Sequence, residues 1–149
     1  MTFGNDLRQA RLAAGLTQSQ LANLAATSQA RVSSYESGTV TPGADTRRRL
    51  LDAVRPRPST LLHRHRAKVR HLAETHGLSD VRVFGSVARG DDGPGSDVDL
   101  LVTPGPDTSL LDMAAFAVEV EDRLGRRVDV LSDRGLDTES SISRDAEAV

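Results

Sequence analysis

The sequence contains no cysteine. That excludes a disulfide framework and the usual cysteine-based zinc sites, and it suits a reducing compartment. Tryptophan is also absent, and the aromatic residues are limited to Phe3, Tyr35, Phe84 and Phe116. Any core is therefore built from Leu, Val and Ala, and modest cores of this kind gain from a partner. No apolar run approaches the roughly 20 residues needed to cross a bilayer. The opening stretch MTFGNDLRQARL lacks the apolar centre of a secretory signal. The expectation is a cytoplasmic protein with no membrane association.

Excess charge of either sign is lacking too, but the net value of -2 conceals an asymmetry. Residues 1–80 carry 12 Lys and Arg against 6 Asp and Glu, a balance of +6, whereas residues 81–149 carry 7 against 15, a balance of -8. The first part suits a polyanion such as DNA and the second has carboxylates available for cations. At 149 residues the chain accommodates one domain or two small ones. The charge split favours two activities.

The first part reads as short helices. Leu7, Ala10, Arg11, Leu12 and Ala14 fall at helical spacing before Gly15; Thr17 caps a helix with Leu21, Leu24 and Ala25 as its apolar stripe. After a turn at Ala26 and Thr27, Ser28 opens a third helix in which Val32 and Tyr35 face inward. Gln29, Ala30, Arg31 and Ser34 are left outward. A fourth helix runs from about Asp45 to Val54. Two short helices joined by a tight turn, the second presenting Gln, Arg and Ser near its start, suit entry into a major groove. Gln and Arg read base edges with paired hydrogen bonds. The stretch Leu7 to Leu51, above all LTQSQLA and SQARVSSYESG, resembles the helix-turn-helix of the Cro/C1 repressor family. The resemblance implies that Gln18 meets the phosphate backbone and that Gln29, Ala30, Arg31 and Ser34 lie toward the bases of operator DNA. Proteins of this class bind as dimers on two half-sites, so oligomerisation is implied, alone or through a partner.

Arg55-Pro56-Arg57-Pro58-Ser59 denies helix continuation and marks a stiff linker. The helix expected from about Thr60 to Thr75 has Leu61, Leu62, Val69, Leu72 and Ala73 as its apolar set. Its other face, with His63, Arg64, His65, Arg66, Lys68 and Arg70, reads as a solvated surface, because histidines two apart on a helix do not share a side.

The most informative stretch is VRVFGSVARGDDGPGSDVDLL, from Val81 to Leu101. It reads as a strand, a Gly-Ser turn, a helix start, an acidic glycine-rich loop and a second strand from Asp97. Asp97 and Asp99 flank Val98, so in a strand both carboxylates face one side, about 7 Å apart. Paired carboxylates suit Mg2+ or Mn2+ rather than zinc, and a metal carried with substrate phosphates is the natural reading. Gly85 lets a ligand approach the backbone, Ser86 adds a hydroxyl donor, and Arg89 adds a fork-shaped cation; together with the amides of a helix start they suit phosphates. A third carboxylate is expected for nucleotidyl transfer. Asp129 fits, alternating outward in the strand RVDVLS between the inward Val128 and Val130.

Gly85-Ser86, a spacer of ten residues and Asp97-Val98-Asp99-Leu100 resemble the signature of the DNA polymerase beta type nucleotidyltransferase superfamily. More narrowly, GSVARG, SDVDLLV and LLDMAAFAVEVEDRLGRRVDVLS resemble the minimal nucleotidyltransferases, called MNT proteins, many of which are encoded beside a HEPN-domain toxin. The helix from Leu110 to Leu124 has Leu111, Ala114, Ala115, Val118 and Leu124 as its expected core stripe. The remainder, from Ser132, is expected to be a loop with a weak final helix ordered on a partner.

The expected fold is α+β, with an all-α helix-turn-helix domain over residues 1–55, a linker over 56–60, and a small α/β nucleotidyltransferase domain over 61–149 whose mixed sheet is flanked by helices. What the resemblance implies is an antitoxin that transfers AMP from ATP, with magnesium, to a tyrosine hydroxyl of a HEPN ribonuclease toxin and represses its own operon. Asp97, Asp99 and Asp129 would be catalytic and metal-binding, and Gly85, Ser86 and Arg89 nucleotide-binding. The alternative is a DNA-binding antitoxin that neutralises its partner by contact alone.

Overall fold

Hydroxyl side chains begin the first three helices of a computed structural model that describes residues 2–149. Thr2 accepts from the backbone of Asn5 at the head of α1 (Phe3–Ala13), Thr17 forms a reciprocal capping box with Gln20 at α2 (Gln18–Leu24), and Ser28 accepts from Arg31 at α3 (Gln29–Glu36). Each cap satisfies a backbone donor that the helix leaves unpaired. Helix α4 (Ala44–Ala53) completes the first of two units, Met1–Pro56. Its core is Leu7, Leu21, Ala22, Ala25, Val32, Tyr35, Leu50, Ala53 and Val54. Leu12 and Leu24 do not join it: they are 53% and 49% exposed. The backbone approaches closely at Gly4, where a Cβ would lie 2.3 Å from the carbonyl of Tyr35.

A charged pair is buried beside that core. The Arg11 guanidinium donates through Nε to Glu36 Oε1 at 2.5 Å, through Nη2 to Glu36 Oε2 at 3.1 Å and through Nη1 to the Leu16 carbonyl at 2.8 Å. Burial works to raise the Glu36 carboxyl, but hydrogen bonds from Arg11 and Gln18 and the charge of Arg11 outweigh it and hold the group below its ordinary value. Breaking one partner of such a pair strands the other charge out of water.

The second unit, Arg57–Val149, begins with α5 (Pro58–Thr75). The helix starts earlier than expected because Pro58 occupies its first turn, where a missing N–H costs nothing. Then follow β1 (Leu78–Phe84), α6 (Gly85–Arg89), β2 (Val98–Pro104), α7 (Leu110–Leu124), β3 (Val128–Ser132), α8 (Ser141–Asp145) and β4 (Glu147–Ala148). The sheet order is β3-β2-β1-β4, with β2 and β3 parallel and joined through α7, and the other pairs antiparallel. Leu62, Val69, Leu72 and Ala73 of α5 and Met113, Phe116, Val120 and Leu124 of α7 pack with Val81, Val83, Val98, Leu100, Val102 and Val128. Mixed sheet, flanking helices and the separate helical unit make the fold α+β.

Two further expectations need correction. Helix α7 buries Met113, Phe116 and Val120 with Leu124, while Leu111, Ala114, Ala115 and Val118 point away from the core. The apolar residues of this helix nearly encircle it, and the face carrying the larger Phe and Met fills the space above the sheet better than two alanines. The C-terminal segment orders on its own chain: β4 pairs with β1, Val149 is buried, and its N–H donates to the Val81 carbonyl at 3.1 Å. Arg70 Nε also donates to the Val149 carbonyl. This pairing covers part of a β1 edge that would otherwise be open.

Glu36→Ala should destabilise the first unit by roughly 3 kcal/mol, read by urea titration of Tyr35, the chain's single tyrosine. Because the folded carboxyl titrates below its ordinary value, the wild-type contribution is present above the unfolded pKa and is lost as pH falls through the folded one. The gap between wild type and Glu36→Ala should therefore narrow in acid; a gap independent of pH would remove the ion pair from the account.

Candidate active site and DNA-binding surface

The site in the second unit is built where three strands line up. Phe84 at the end of β1 pairs with Asp99 of β2, and Asp99 pairs in turn with Asp129 of β3. Strand alternation sends Val98 and Leu100 into the core and leaves Asp99 half-buried on the opposite side. Immediately after Phe84 the chain turns at Gly85, whose φ is +71°, and enters α6. A Cβ at Gly85 would sit 2.5 Å from Asp99 Oδ2. The turn thus lies directly against the carboxylate, a contact that glycine alone permits.

Asp97 falls just before β2 rather than within it, and both it and Asp129 are exposed. The Asp99 carboxyl is nevertheless raised above its ordinary value, first by burial, then by the negative charges of Asp129 and Asp97, with Arg89 opposing. The structure therefore brings the three acids into one electrostatic neighbourhood. Among the described residues no group of three or more His, Cys, Asp or Glu is arranged to hold a metal ion. The donors still fit a hard cation, because all are carboxylate oxygens and magnesium keeps waters and takes substrate phosphates for the rest of its sphere.

The flanking residues divide. Ser86 is half-buried in the first turn of α6, which at five residues offers backbone amides rather than a long helix dipole. Arg89 is exposed and lies with Nε 3.5 Å from Asp91 Oδ2, a surface pairing of small energy. One residue beside the site was missed in the sequence, and Asp92, read there as shaping the loop, gains a specific partner. Arg127 places Nε 3.7 Å from Asp129 Oδ1, with both side chains exposed; its position two residues before Asp129, on the same side of an extended segment, was the available signal. Asp92 is buried and accepts from the Ser59 N–H at 2.9 Å, tying the acidic loop to the start of α5. That bond spans 33 residues of chain, and no local pattern announces it.

In the first unit Gln18 donates through Nε2 to Glu36 Oε2 at 2.9 Å and accepts from Gln29 Nε2 at 2.8 Å. The Arg11–Glu36 pair thereby reaches the start of α2 and the first turn of α3. Ala30 and Arg31 are exposed on that turn, whereas Ser34 turns its hydroxyl back onto the Ala30 carbonyl at 3.0 Å.

Comparison with known proteins agrees with both units. A nucleotidyltransferase domain family matches residues 62–148. The chain belongs to that family. A helix-turn-helix domain family matches residues 2–83, so the chain also carries a helix-turn-helix domain at its N-terminal side. Residues 62–83 fall in both matches, and in the structure they lie in α5 and β1 of the nucleotidyltransferase unit. A Methanocaldococcus jannaschii protein provisionally named a protein adenylyltransferase is 44% identical over 57 residues, which are 38% of this chain and 61% of that protein. The chain thus spans somewhat under two thirds of that relative. A solved structure provisionally named a minimal nucleotidyltransferase is 41% identical with a TM-score of 0.55, covering 61% of this chain and 95% of that one. A toxin-antitoxin structure with AMP-PNP aligns over 48% of this chain and 60% of its own, at 23% identity and a TM-score of 0.43.

Gly85→Ala should lower stability by about 1–2 kcal/mol from the left-handed backbone alone and displace the Asp99 carboxylate that the new methyl meets. Thermal unfolding with a nucleotide-binding titration checks both; a variant as stable as wild type with unchanged nucleotide affinity would show that the contact does not shape the site.

Proposed function

We propose that this nucleotidyltransferase transfers AMP from ATP to a hydroxyl of a protein partner, that the partner is a HEPN-type ribonuclease toxin modified on tyrosine, and that the helix-turn-helix domain represses the shared operon. The observation that carries the reading is the acidic row: Asp99 aligned with Asp129, its carboxylate against the Gly85 turn and its pKa raised by burial and by its acidic neighbours. Three acids set together, with only exposed arginines beside them, are costly for a fold that serves only as a contact surface. The name given to the Methanocaldococcus jannaschii relative supports a protein acceptor.

In this reading Gly85 and Ser86 grip the outer phosphates and Arg89 adds charge to them. Asp97, Asp99 and Asp129 would hold the metal, magnesium or manganese, which when bound supplies charge neutralisation on the triphosphate. The acceptor oxygen bonds to the α-phosphorus, the bond to pyrophosphate breaks, and Asp129, exposed at the end of the row, either completes the metal site or takes the hydroxyl proton. Most of the acceleration comes from alignment and electrostatics. In the first unit Gln18 meets a phosphate, and Gln29, Ala30, Arg31 and Ser34 face the bases, with Gln29 steadied by Gln18.

One observation favours the second reading, neutralisation by contact without catalysis. The acids form no ready-made metal cage among the described residues, and Arg127 and Arg89 stand beside Asp129 and Asp91.

Incubating the adjacent gene's product with this protein, ATP and magnesium should add one or more AMP units by mass spectrometry. Asp97→Asn with Asp99→Asn should abolish the gain without loss of folding or DNA binding. A stable complex with no mass gain would move the assignment to the contact reading. On operator DNA, Arg31→Ala should weaken binding roughly ten-fold, the value of one good base contact, and leave transfer unchanged. A gel-shift titration with identical midpoints would contradict the role given to Arg31.

A further inference from the structure

Two of the three acids in the row are fixed by the sheet. Asp99 lies inside β2 and Asp129 inside β3, each on the ladder that joins those strands. Asp97 precedes β2, and the first bond that ties the chain to the sheet after it runs from the Val98 N–H to the Arg127 carbonyl at 2.9 Å. Where the Asp97 carboxylate stands therefore depends on the loop that leads to it from Gly90. Something other than a strand must hold that loop.

Its buried anchor is Asp92, which is 4% exposed and whose Oδ2 accepts from the Ser59 N–H at 2.9 Å. A carboxylate out of water is costly unless donors answer it. The head of α5 is such a donor and lacks a cap of its own: Arg57 makes no side-chain capping bond and Pro58 has no N–H, so Ser59 carries the first amide of the helix. Asp92 thus caps α5 from 33 residues away, and the positive end of an 18-residue helix favours its charge. The helix is a firm support, since Leu62, Val69, Leu72 and Ala73 pack it into the core.

Between this anchor and Asp97 the chain closes on itself. The Gly93 N–H donates to Ser96 Oγ at 2.9 Å, and the Ser96 N–H donates to the Gly93 carbonyl at 3.0 Å. On the other side of Asp92, the Asp91 N–H donates to the Ser86 carbonyl at 3.1 Å. The anchor therefore stands between the turn assigned to phosphates and the acid assigned to the metal. We propose that Asp92 is a positioning residue: by capping α5 it sets Asp97 beside Asp99 for a shared cation. The inference rests on the metal-nucleotide reading of the site. It adds that affinity for the metal is governed by a residue that touches neither metal nor nucleotide, as outer partners of metal ligands do.

A cap that serves stability alone lowers the melting temperature and leaves ligand affinity unchanged. Calorimetric titration of the full chain with a non-hydrolysable ATP analogue, with and without magnesium, separates the two roles. Asp92→Ala should raise the dissociation constant measured with magnesium about ten-fold, the lower end of the loss when an outer partner of a metal ligand is removed, and leave the magnesium-free constant as it is. Asp92→Asn keeps an acceptor oxygen for the Ser59 N–H and should bind like wild type. Asp92→Glu keeps the charge but lengthens the tether, so it should bind the magnesium-nucleotide more weakly than Asp92→Asn; this pair carries the test if the alanine variant does not fold. In an Asp97→Asn background Asp92→Ala should cost nothing further. Wild-type magnesium-dependent affinity in Asp92→Ala, equal affinity in the Asn and Glu variants, or an undiminished loss with Asp97 already replaced would overturn the proposal and leave the metal-nucleotide reading standing. A wild-type chain whose nucleotide affinity is indifferent to magnesium would remove that reading and the proposal with it.

Discussion

The nucleotidyltransferase unit depends on a carboxylate lying against a backbone turn. Gly85 has no side chain and a left-handed φ, and Asp99 occupies the volume that any other residue would fill. The pairing of Phe84 with Asp99 and of Asp99 with Asp129 then places a second acid alongside. The cost is visible in Asp99 itself, where burial and two negative neighbours disfavour the charged form. A cation carrying phosphates would relieve that cost, which is the physical basis of the function proposed for this site.

The two units settle buried charge in opposite ways. In the helix-turn-helix domain Glu36 is answered by Arg11 and Gln18, and its carboxyl is held low. In the nucleotidyltransferase unit Arg89 and Arg127 stand near the acidic row, both exposed and paired with Asp91 and Asp129. A compensated carboxylate is a structural element that steadies Gln18 and Gln29; an uncompensated one is open to a ligand. The contrast parallels the change from net positive to net negative charge along the chain.

Much of this was legible because the informative residues are local. Gly85-Ser86 and Asp97-Val98-Asp99 interrupt apolar strands at short spacing, and Thr17 and Ser28 mark helix starts without reference to the rest of the chain. The outer apolar face of α7 was misread because periodicity finds an apolar stripe but does not rank two of them. The volume of Phe116 and Met113 against the sheet decided that choice. Strand β4 is two residues long and has no period to detect; it exists because β1 offers an edge. The Arg11–Glu36 pair joins residues 25 apart, and the Asp92 bond to Ser59 likewise depends on tertiary closure.

The most direct test of a site built for a metal-bound nucleotide is the melting temperature of the whole chain titrated with a non-hydrolysable ATP analogue, with and without magnesium, in wild type and in Asp99→Asn. The account predicts stabilisation only when nucleotide and magnesium are present together, and its loss in the variant, since a ligand stabilises the state it binds. Equal stabilisation without the metal, or full stabilisation in Asp99→Asn, would contradict it.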